Sequence, residues 1–582
     1  MENINGFNYE NLEDMPDYSD DEFDIINAIS LANLTIKELT VENIWLSQRF
    51  EEDMWALEAN KETFQKTYID FNEISDSVLK IQLKCWAVLL LKTFRPSTVR
   101  NHIHNVVKII VETNGLDASK IQWIEDIISQ IPESMRSVVL SSTINFLDYT
   151  SNSQYEPITN EIRDIKRKYP TFFSIRTLPP YLDVLRFSYI LLSAANKWNK
   201  LQKTKFLPIL IWWKLTTIIP MRASEFVSLK RNCASFKLKT TGNYNSREFY
   251  ITLPRRKQKA TTKRLSVPDT LPITEDIYNL ISEYIKLTEP YGDSETLISY
   301  RAYSRTNTRP STRRSLNEKF YNLSPFHTLL NQFYDEVIKE TGLEVISKKE
   351  WLIRKENELI NRENERLDFE QPSNYIVKIN PNDTRHFAIC NMMLQGMNSL
   401  TIARMAGHQH IETQYNYQAH LEYFVDSRVY ELTLLNDLRK NINFGREDFH
   451  STLSIKDARI NSLKNYDVSK FSEEDEVEIG YCTDSLKRCE ASVCILCSKN
   501  WIPPYEIDSH LKELIGMKQQ SRKKIKIATK TLIRIYKEMN IEYKTERINP
   551  KDTEDLKRAA KQVNSYIHDY SIILAKLGIG EF

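Results

Sequence analysis

Glycine is scarce in this chain: 12 of the 582 residues are glycine, about 2% against an average usage of about 7%. This scarcity argues against glycine-rich nucleotide loops and against an all-β protein dense in turns, and it favours long helices. The sequence also lacks any run of about 18 apolar residues, so we expect no transmembrane helix. The N-terminus has no basic segment followed by an apolar one, so we expect no signal peptide and a cytoplasmic protein.

Cysteines are few, and four of the seven lie close together in the sequence. The other three are scattered, which is typical of a protein from a reducing compartment. The cluster ends in a Cys-x2-Cys pair, and four thiolates suit a closed tetrahedral zinc site. We therefore predict a structural zinc, with His510 as a substitute ligand; free or redox-active cysteines are the alternative. The predicted ligands are Cys482, Cys489, Cys494 and Cys497.

Positive and negative charges nearly cancel, to a formal net charge of +1, but they are unevenly distributed. Glu2 to Asp24 includes nine acids and no lysine or arginine, whereas Tyr300 to Lys319 carries six cations and one acid. A second basic stretch, Lys518 to Lys537, has apolar residues at helical spacing. It predicts either a DNA- or protein-contacting helix or a solvated amphipathic one. A phosphate backbone would meet these local basic faces and not the total charge.

Hydrophobic periodicity predicts a mainly α protein with a small β-sheet (α+β) in four regions. Residues 1–75 are expected to form an acidic tail and an N-terminal helical region, and residues 76–178 a helical bundle. The Pro179-Pro180 pair marks a boundary. A larger helical domain with the β-sheet follows in residues 179–440, and residues 441–582 form a C-terminal extension.

Within residues 179–440 two patterns interrupt the helices. Phe249–Leu253 and Arg264–Val267 have strand character and enclose a basic turn, which predicts a β-hairpin. Residues 300–378 form a long, charged insertion. Further on, Thr384–Met405 is an apolar helical pair broken at Gly396.

Three short segments contain residues suited to chemistry on a phosphodiester. Cleaving a DNA strand without a metal requires a nucleophile, fixed cations on the non-bridging oxygens and a general acid. Arginine suits the cationic role because its planar fork meets phosphate bidentately. In the first segment Arg222 stands three residues before Glu225, a carboxylate that can hold it. The second is Asn382–His386, before an apolar helix, and the third runs from Gly407-His408 to Tyr417.

Taken alone, each segment has an ordinary structural explanation. Arg222 could be a solvated residue at a helix end. Asp383 or Thr384 could cap the N-terminus of the helix that follows, and Gly407 could end the helix before it. Tyr417 is one of 29 tyrosines and could pack in a core.

In combination, the order of these residues resembles the catalytic domain of tyrosine recombinases (the phage integrase family) over residues 180–430. The matching pattern is Arg-x-x-Glu, a basic hairpin, Arg-His, Gly-His and a tyrosine nine residues later. The large insertion and the cysteine-containing extension look most like a transposon-type integrase (transposase). The resemblance implies site-specific DNA cleavage and rejoining through a 3′-phosphotyrosine, for integration or excision of a mobile element, with no catalytic cofactor.

The resemblance also assigns roles to individual residues. Arg222 and Arg385 match the two arginines that clamp the scissile phosphate, and Glu225 matches the acid that orients the first. His408 matches a histidine that hydrogen-bonds the phosphate. Tyr417 matches the nucleophile, with Tyr415 ranked well below it because its spacing is two residues short.

Two further catalytic positions follow from the resemblance. The family's lysine lies in a hairpin turn and protonates the leaving oxygen, and we assign it to Lys257, with Lys259 as the alternative. Three residues before Arg385 the family usually has histidine, and this chain has Asn382. Asparagine can donate a hydrogen bond to phosphate but cannot accept a proton near neutral pH, so the base is unassigned. His386 is expected to be a structural partner and not a proton shuttle.

The implied partner is double-stranded DNA, with four protomers acting on two DNA sites and with accessory recombination proteins. Residues 76–178 match the position of the family's core-binding domain, which closes a C-shaped clamp around the duplex with the catalytic domain. The setting implied is bacterial and nucleoid-associated, with no membrane partner. The alternative for residues 300–319 is a disordered polar loop without phosphate contact. The predicted DNA-binding residues are Lys259, Arg301, Arg305, Arg313 and Arg314.

Two alternative functions share much of this pattern. A type IB topoisomerase uses the same chemistry, although the spacing from His408 to Tyr417 favours a recombinase. A recombinase-derived DNA-binding protein with weakened catalysis would explain Asn382 as a sign of decay.

Overall fold

The structure is a computed structural model of the chain. It describes residues 23–60, 65–169, 176–241, 244–254, 270–307, 317–361, 374–408, 417, 420–421, 461, 464, 466–489, 491–544 and 550–576. The chain divides into two compact units, Met1–Ser174 and Ile175–Phe582. Both are mainly helical, and their sheets have two or three strands.

The first unit is a helical bundle with a β-hairpin. Asp76 starts the second helix, because its carboxylate accepts the backbone N–H groups of Val78 and Leu79 at 2.8 and 2.9 Å, satisfying donors that have no partner within the helix. The elements are α1 (Ile25–Val41), β1 (Met54–Asn60), β2 (Gln65–Asp70), α2 (Ser77–Thr93), α3 (Pro96–Glu112), α4 (Ile124–Ser129), α5 (Glu133–Thr150) and α6 (Glu156–Lys168).

The hairpin β1–β2 is a feature that the sequence analysis missed, since it predicted helix in this region. Trp55 and Leu57 are fully buried in β1, and Trp55 makes edge contacts with Trp45 and Phe71 at ring-centroid distances of 4.7 Å. The alternation of buried and less buried residues from Met54 to Glu58 has the period of two that marks a strand. The run is too short for that period to stand out against the helical periodicity on both sides.

The second unit contains the predicted chemical residues and most of the sheets. Its elements up to residue 306 are α7 (Tyr181–Ala195), α8 (Lys200–Thr216), α9 (Ala223–Val227), β3 (Ala234–Thr241), β4 (Tyr244–Thr252), β5 (Thr270–Ile273), α10 (Glu275–Thr288) and α11 (Tyr300–Thr306). From 323 to 406 they are α12 (Leu323–Phe333), β6 (Glu344–Ile346), α13 (Lys348–Asn361), β7 (Tyr375–Val377), α14 (Asp383–Leu394) and α15 (Ser399–Ala406). The last are β8 (Tyr481–Cys482), β9 (Asn500–Trp501), α16 (Pro504–Ser509), α17 (Leu511–Lys544) and α18 (Pro550–Lys576).

Helix α8 lies at the centre of this unit. Trp212 and Trp213 are fully buried on it, and Trp212 donates its indole N–H to the carbonyl of Pro381 at 3.3 Å. The hydroxyl of Thr216 donates to that of Thr384 at 2.7 Å. From Phe206 to Thr216 the helix is buried almost all round, and the two bonds fix its end against the start of α14.

The three-stranded antiparallel sheet has the order β3-β4-β5. The predicted strand Phe249–Leu253 corresponds to the second half of β4. The described partner that follows it is β5, with Phe249 opposite Ile273. The predicted strand Arg264–Val267 and the basic turn lie outside the described residues.

The predicted break at Gly396 is present between α14 and α15. Gly396 has a φ of +70°, a left-handed conformation that favours glycine. A Cβ added there would lie 3.0 Å from the Cβ of Ala560 and 3.2 Å from the Cα of Lys557. The break therefore lets α18 approach the α14–α15 turn closely, and the C-terminal hairpin of α17 and α18 packs into the same core.

Within the described residues, none of the helices is both long enough and apolar enough to cross a membrane.

We predict that Gly396→Ala weakens the contact between the α14–α15 turn and α18. The left-handed backbone would cost about 1–2 kcal/mol, and overpacking against α18 would add about 1–3 kcal/mol. Amide hydrogen exchange in α14 measures the loss as faster opening. Gly342→Ala is the matched control, because Gly342 has a φ of +84° with nothing within 4 Å of the added Cβ. Equal effects of the two substitutions would contradict a packing role for Gly396.

Candidate active site

Arg385 is the centre of the candidate site. It lies in the first turn of α14, is 4% exposed, and directs its guanidinium to three chain segments. Nη1 donates to the carbonyl of Pro220 at 2.6 Å, Nη2 to that of Ala406 at 2.8 Å, and Nε to the hydroxyl of Tyr417 at 3.1 Å. A guanidinium has five N–H donors, and at least three of these are directed to protein oxygens.

Arg222 and Glu225 contact each other as the sequence predicted. Arg222 precedes α9, and its backbone N–H donates to Glu225 Oε2 at 2.9 Å. Its Nη1 lies 3.4 Å from Glu225 Oε1. Glu225 is 2% exposed, so the buried carboxylate is a fixed acceptor that holds the arginine at the start of α9.

Asn382 connects the two arginine-bearing segments. Its side-chain oxygen accepts the backbone N–H of Ala223 at 2.9 Å, so it caps the first turn of α9 from outside that helix. Arg222 immediately precedes Ala223, and Arg385 follows Asn382 by three residues. The amide at this position therefore fixes the spacing between the two arginines, while its side chain is exposed.

Tyr417 is 7% exposed and contacts two imidazole rings. Its ring stacks on His408 with centroids 5.4 Å apart and an interplanar angle of 25°. The ring of His386 lies on it at 4.6 Å with an angle of 42°. His408 is completely buried and follows Gly407, whose φ of +66° ends α15. The predicted C-cap and the predicted phosphate ligand are thus adjacent residues in one turn.

His386 belongs to a chain of hydrogen-bonding groups that the sequence analysis did not identify. Its Nδ1 lies 3.3 Å from Nδ1 of His420, and the other nitrogen of His420, Nε2, lies 2.5 Å from the carbonyl oxygen of Arg176. Burial lowers the pKa of His386 well below its ordinary value, and His420 and the cations Arg176, Arg385 and Lys348 lower it further. His386 is therefore a neutral imidazole at physiological pH.

Asp383 or Thr384 was expected to cap the N-terminus of α14. In the structure Asp383 instead contacts two cations. It is fully buried, and Arg176 Nε and Lys348 Nζ contact its two oxygens at 2.8 and 2.6 Å. The backbone N–H of Asn380 donates to it at 2.7 Å. Burial lowers the pKa of Lys348, although Asp383 opposes the shift. The carboxylate neutralises cations on the side of the site where His420 contacts Arg176.

The remaining predicted DNA contacts are only partly described. Lys257, Lys259, Arg313 and Arg314 lie outside the described residues, as does Tyr415. Arg305 is exposed on α11, so the stretch predicted as a basic loop begins as a helix. Arg301, on the same helix, lies 3.4 Å from a carboxylate oxygen of Glu318.

The zinc site predicted at the cysteine cluster is not supported by the structure. In the part of the chain that the structure describes, no group of three or more His, Cys, Asp or Glu residues is arranged to hold a metal ion. The thiol of Cys482 lies 3.9 Å from the carbonyl of Asp484, and that of Cys489 lies 3.7 Å from the carbonyl of Lys487. Burial, followed by the neighbouring thiols of Cys489, Cys497 and Cys482, raises the pKa of Cys494.

The spacing in the sequence did not reveal what builds this region. An aromatic group around the fully buried Trp501 forms its interior, with Phe471 stacked on Trp501 at a centroid distance of 6.0 Å. A Cys-x2-Cys pair fixes the separation of its own two thiols but not their distance from Cys482 and Cys489.

Comparison with known proteins gives no assignment for the chain, since no protein-family model matches it and no curated protein does so.

We predict that Asp383→Asn destabilises the second unit by about 3–5 kcal/mol, because it leaves two cations without their buried carboxylate. The thermal unfolding midpoint of the full-length protein measures this. Glu538→Gln is the matched control, since its ion pair with Arg534 is 3.8 Å long and well exposed, and such pairs contribute about 0–1 kcal/mol. A loss from Asp383→Asn no larger than that of the control would contradict the structural importance of the triad.

Proposed function

We propose that this protein is a tyrosine recombinase that cleaves and rejoins double-stranded DNA through a 3′-phosphotyrosine at Tyr417, as a transposon-type integrase does. The observation that carries the proposal is the hydrogen bond of 3.1 Å from Arg385 Nε to the Tyr417 hydroxyl. A fixed cation therefore holds the phenol. Asn382, at the start of α14, accepts the backbone N–H of Ala223, the residue after Arg222, and so connects the second arginine to the same place.

The chemistry follows from these positions. The Tyr417 oxygen attacks the scissile phosphorus, forming a phosphotyrosine and releasing the 5′-oxygen of the next nucleotide. Arg222 and Arg385 stabilise the charge that builds on the non-bridging oxygens, and charge-assisted bonds of this kind are the stronger ones. His408 contributes to the same pocket, and Lys257 or Lys259 is the proposed donor of a proton to the leaving oxygen. The ester conserves the bond energy, so rejoining by a second strand needs no ATP.

The contact that Asn382 makes supports an active enzyme over a recombinase-derived protein with weakened catalysis. A residue that had merely lost its histidine function would have no defined contact, yet the Asn382 side chain accepts the N–H of Ala223 at 2.9 Å. This contact fixes the arginine-bearing turn and favours an enzyme over a DNA-binding remnant. The type IB topoisomerase alternative predicts relaxation of DNA without exchange between paired sites, whereas a recombinase acting as four protomers on two DNA sites exchanges them.

We predict that a suicide DNA substrate, nicked so that the cleaved end diffuses away, traps the wild-type protein covalently on its 3′ end. Tyr417→Phe abolishes the adduct because it removes the attacking oxygen. Denaturing gel electrophoresis with labelled DNA measures this. Tyr415→Phe, the matched control, retains the adduct. A missing wild-type adduct would refute the enzyme, and an adduct from Tyr417→Phe would refute the nucleophile.

We further propose that α17 contributes a phosphate-binding face. Between Glu513 and Glu538 the helix carries eight cations and no acid. Its apolar side is buried by Ile525, Leu532 and Tyr536, which leaves the basic side to solvent. Between Glu513 and Glu538, the exposed cations are Arg522, Lys523, Lys524, Lys526, Lys530, Arg534 and Lys537.

Replacing Lys523, Lys526 and Lys530 by glutamine tests this face. We expect weaker DNA binding, and the slope of log K against log salt should become shallower by up to about 2.7, or about 0.9 for each phosphate that the protein no longer neutralises. Fluorescence anisotropy over a salt series measures both.

The matched control for α17 is on α18. Glutamine at Lys557, Arg558 and Lys561 removes the same charge from a face that also carries Glu554 and Asp555. An equal change from both triple variants would indicate a general charge effect and would contradict a dedicated face on α17.

A further inference from the structure

The nucleophile must lose a proton as it attacks, and the proposed function leaves the acceptor of that proton unassigned. Asn382 cannot accept it, and Arg385 is already a donor to the Tyr417 oxygen. Two imidazoles contact the phenol ring, His386 at a centroid distance of 4.6 Å and His408 at 5.4 Å. His386 also belongs to a hydrogen-bond chain, and that chain determines which of its two nitrogens can accept a proton.

The partners of His420 determine where the protons lie. A carbonyl oxygen can only accept, so Nε2 of His420, at 2.5 Å from the Arg176 oxygen, carries a hydrogen. At a pH where His420 is neutral as well, its Nδ1 then has a lone pair. Since Nδ1 of His420 faces Nδ1 of His386 at 3.3 Å, His386 must donate there. Its Nε2 is therefore left with the lone pair, the tautomer of a base.

The charges around His386 keep it neutral before DNA binds. Burial is the largest cause of its lowered pKa, and the next is His420, followed by the nearby cations. A bound phosphodiester would add negative charge beside Arg385 and so raise the proton affinity of the imidazole. The titratable and charged groups around His386 are His420, Arg176, Arg385, Lys348 and Tyr417, with Asp383 paired to Arg176 and Lys348.

We propose that His386 is the general base for Tyr417 and that His420 is the positioning residue that fixes the reactive tautomer of His386. This inference rests on the proposed function and deepens it.

The proton balance of the step is complete. The O–H bond of Tyr417 breaks and its proton passes to Nε2 of His386, while the phenol oxygen forms the bond to phosphorus. The bond from phosphorus to the 5′-oxygen breaks, and that oxygen takes a proton from the lysine general acid. Rejoining reverses each transfer, so His386 returns its proton to Tyr417 and no oxidant, metal or co-reactant is consumed.

Single-turnover cleavage of the suicide substrate between pH 5 and 9 tests the base. For the wild type we expect the rate to fall on the acid side as His386 becomes protonated. His386→Gln should be slower by about 100-fold, the low end of the range for general-base catalysis, and should lose the acid limb. If the wild type forms the adduct and His386→Gln has an unchanged rate and pH profile, the role of His386 as base is overturned and the proposed function is not. A wild type that forms no adduct would overturn the proposed function, and this inference with it.

Two substitutions of His420 separate positioning from packing. His420→Gln keeps an acceptor for His386 and a donor for the Arg176 carbonyl, so its cleavage rate should stay within about threefold of the wild type. His420→Leu removes both and should slow cleavage by about tenfold. Equal rates in the two variants would contradict the tautomer argument. Anisotropy with the same DNA checks that binding is retained.

A substrate with sulfur at the bridging 5′ position distinguishes a base from an acid. Its thiolate leaving group needs no proton, so the defect of a general-acid variant such as Lys257→Ala should be rescued if Lys257 is the acid. The defect of His386→Gln should persist, because the phenol must still be deprotonated. Rescue of His386→Gln by sulfur would assign the histidine to the leaving-group side and overturn its role as base.

A measurement on the wild type keeps the inference testable even where a variant fails to fold. The chain has ten histidines, and 15N labelling of histidine alone allows each tautomer to be identified by NMR. We expect the hydrogen of His386 on Nδ1 and that of His420 on Nε2. A hydrogen on Nε2 of neutral His386 would refute the proposed base.

Discussion

The organisation of the candidate site depends on the buried guanidinium of Arg385. Burying an isolated charge is costly unless strong hydrogen bonds compensate for it. Here two backbone carbonyls and one phenol accept from it, and they belong to three different segments of the chain. The same bonds that stabilise the charge therefore bring the turn between α8 and α9, the end of α15 and Tyr417 to one place. Precise positions of this kind are what a transition state needs from its fixed cations.

A site built around cations must also keep them from repelling one another. Arg176, Lys348 and Arg385 lie near His386, and Asp383 neutralises the first two from a fully buried position. Arg222 has Glu225 at 3.4 Å, whereas the three oxygens described as acceptors for Arg385 are neutral. Because these acceptors do not neutralise the guanidinium, its positive charge is suited to an anion. A phosphodiester would supply the full negative charge.

The sequence predicted those parts of the structure that depend on local pattern. The Arg222–Glu225 contact spans three residues, the strand at Phe249 follows a period of two, and the break at Gly396 needs a left-handed residue. At the candidate site, the parts that it missed depend on distant partners. Asp383 contacts Arg176 across 207 positions, and no local pattern identifies such a pair, so the residue looked like an ordinary helix cap. The zinc prediction was not supported for a similar reason. The spacing of four cysteines along the sequence does not determine the distances between their thiols in the folded protein.

The C-terminal hairpin extends these constraints to the far end of α14. The hydroxyl of Tyr536, on α17, lies 2.9 Å from the carbonyl of Met393 and 2.7 Å from that of Met397, and Asn564, on α18, donates to the carbonyl of Leu394 at 2.9 Å. Carbonyls in the last turn of a helix lack partners within it, so these side chains satisfy groups that would otherwise be exposed or buried unpaired. The helix with Arg385 in its first turn is thus held by Asp383 at its start and by α17 and α18 at its end. Helix α17, which carries the proposed phosphate-binding face, is therefore in direct contact with the helix that carries Arg385.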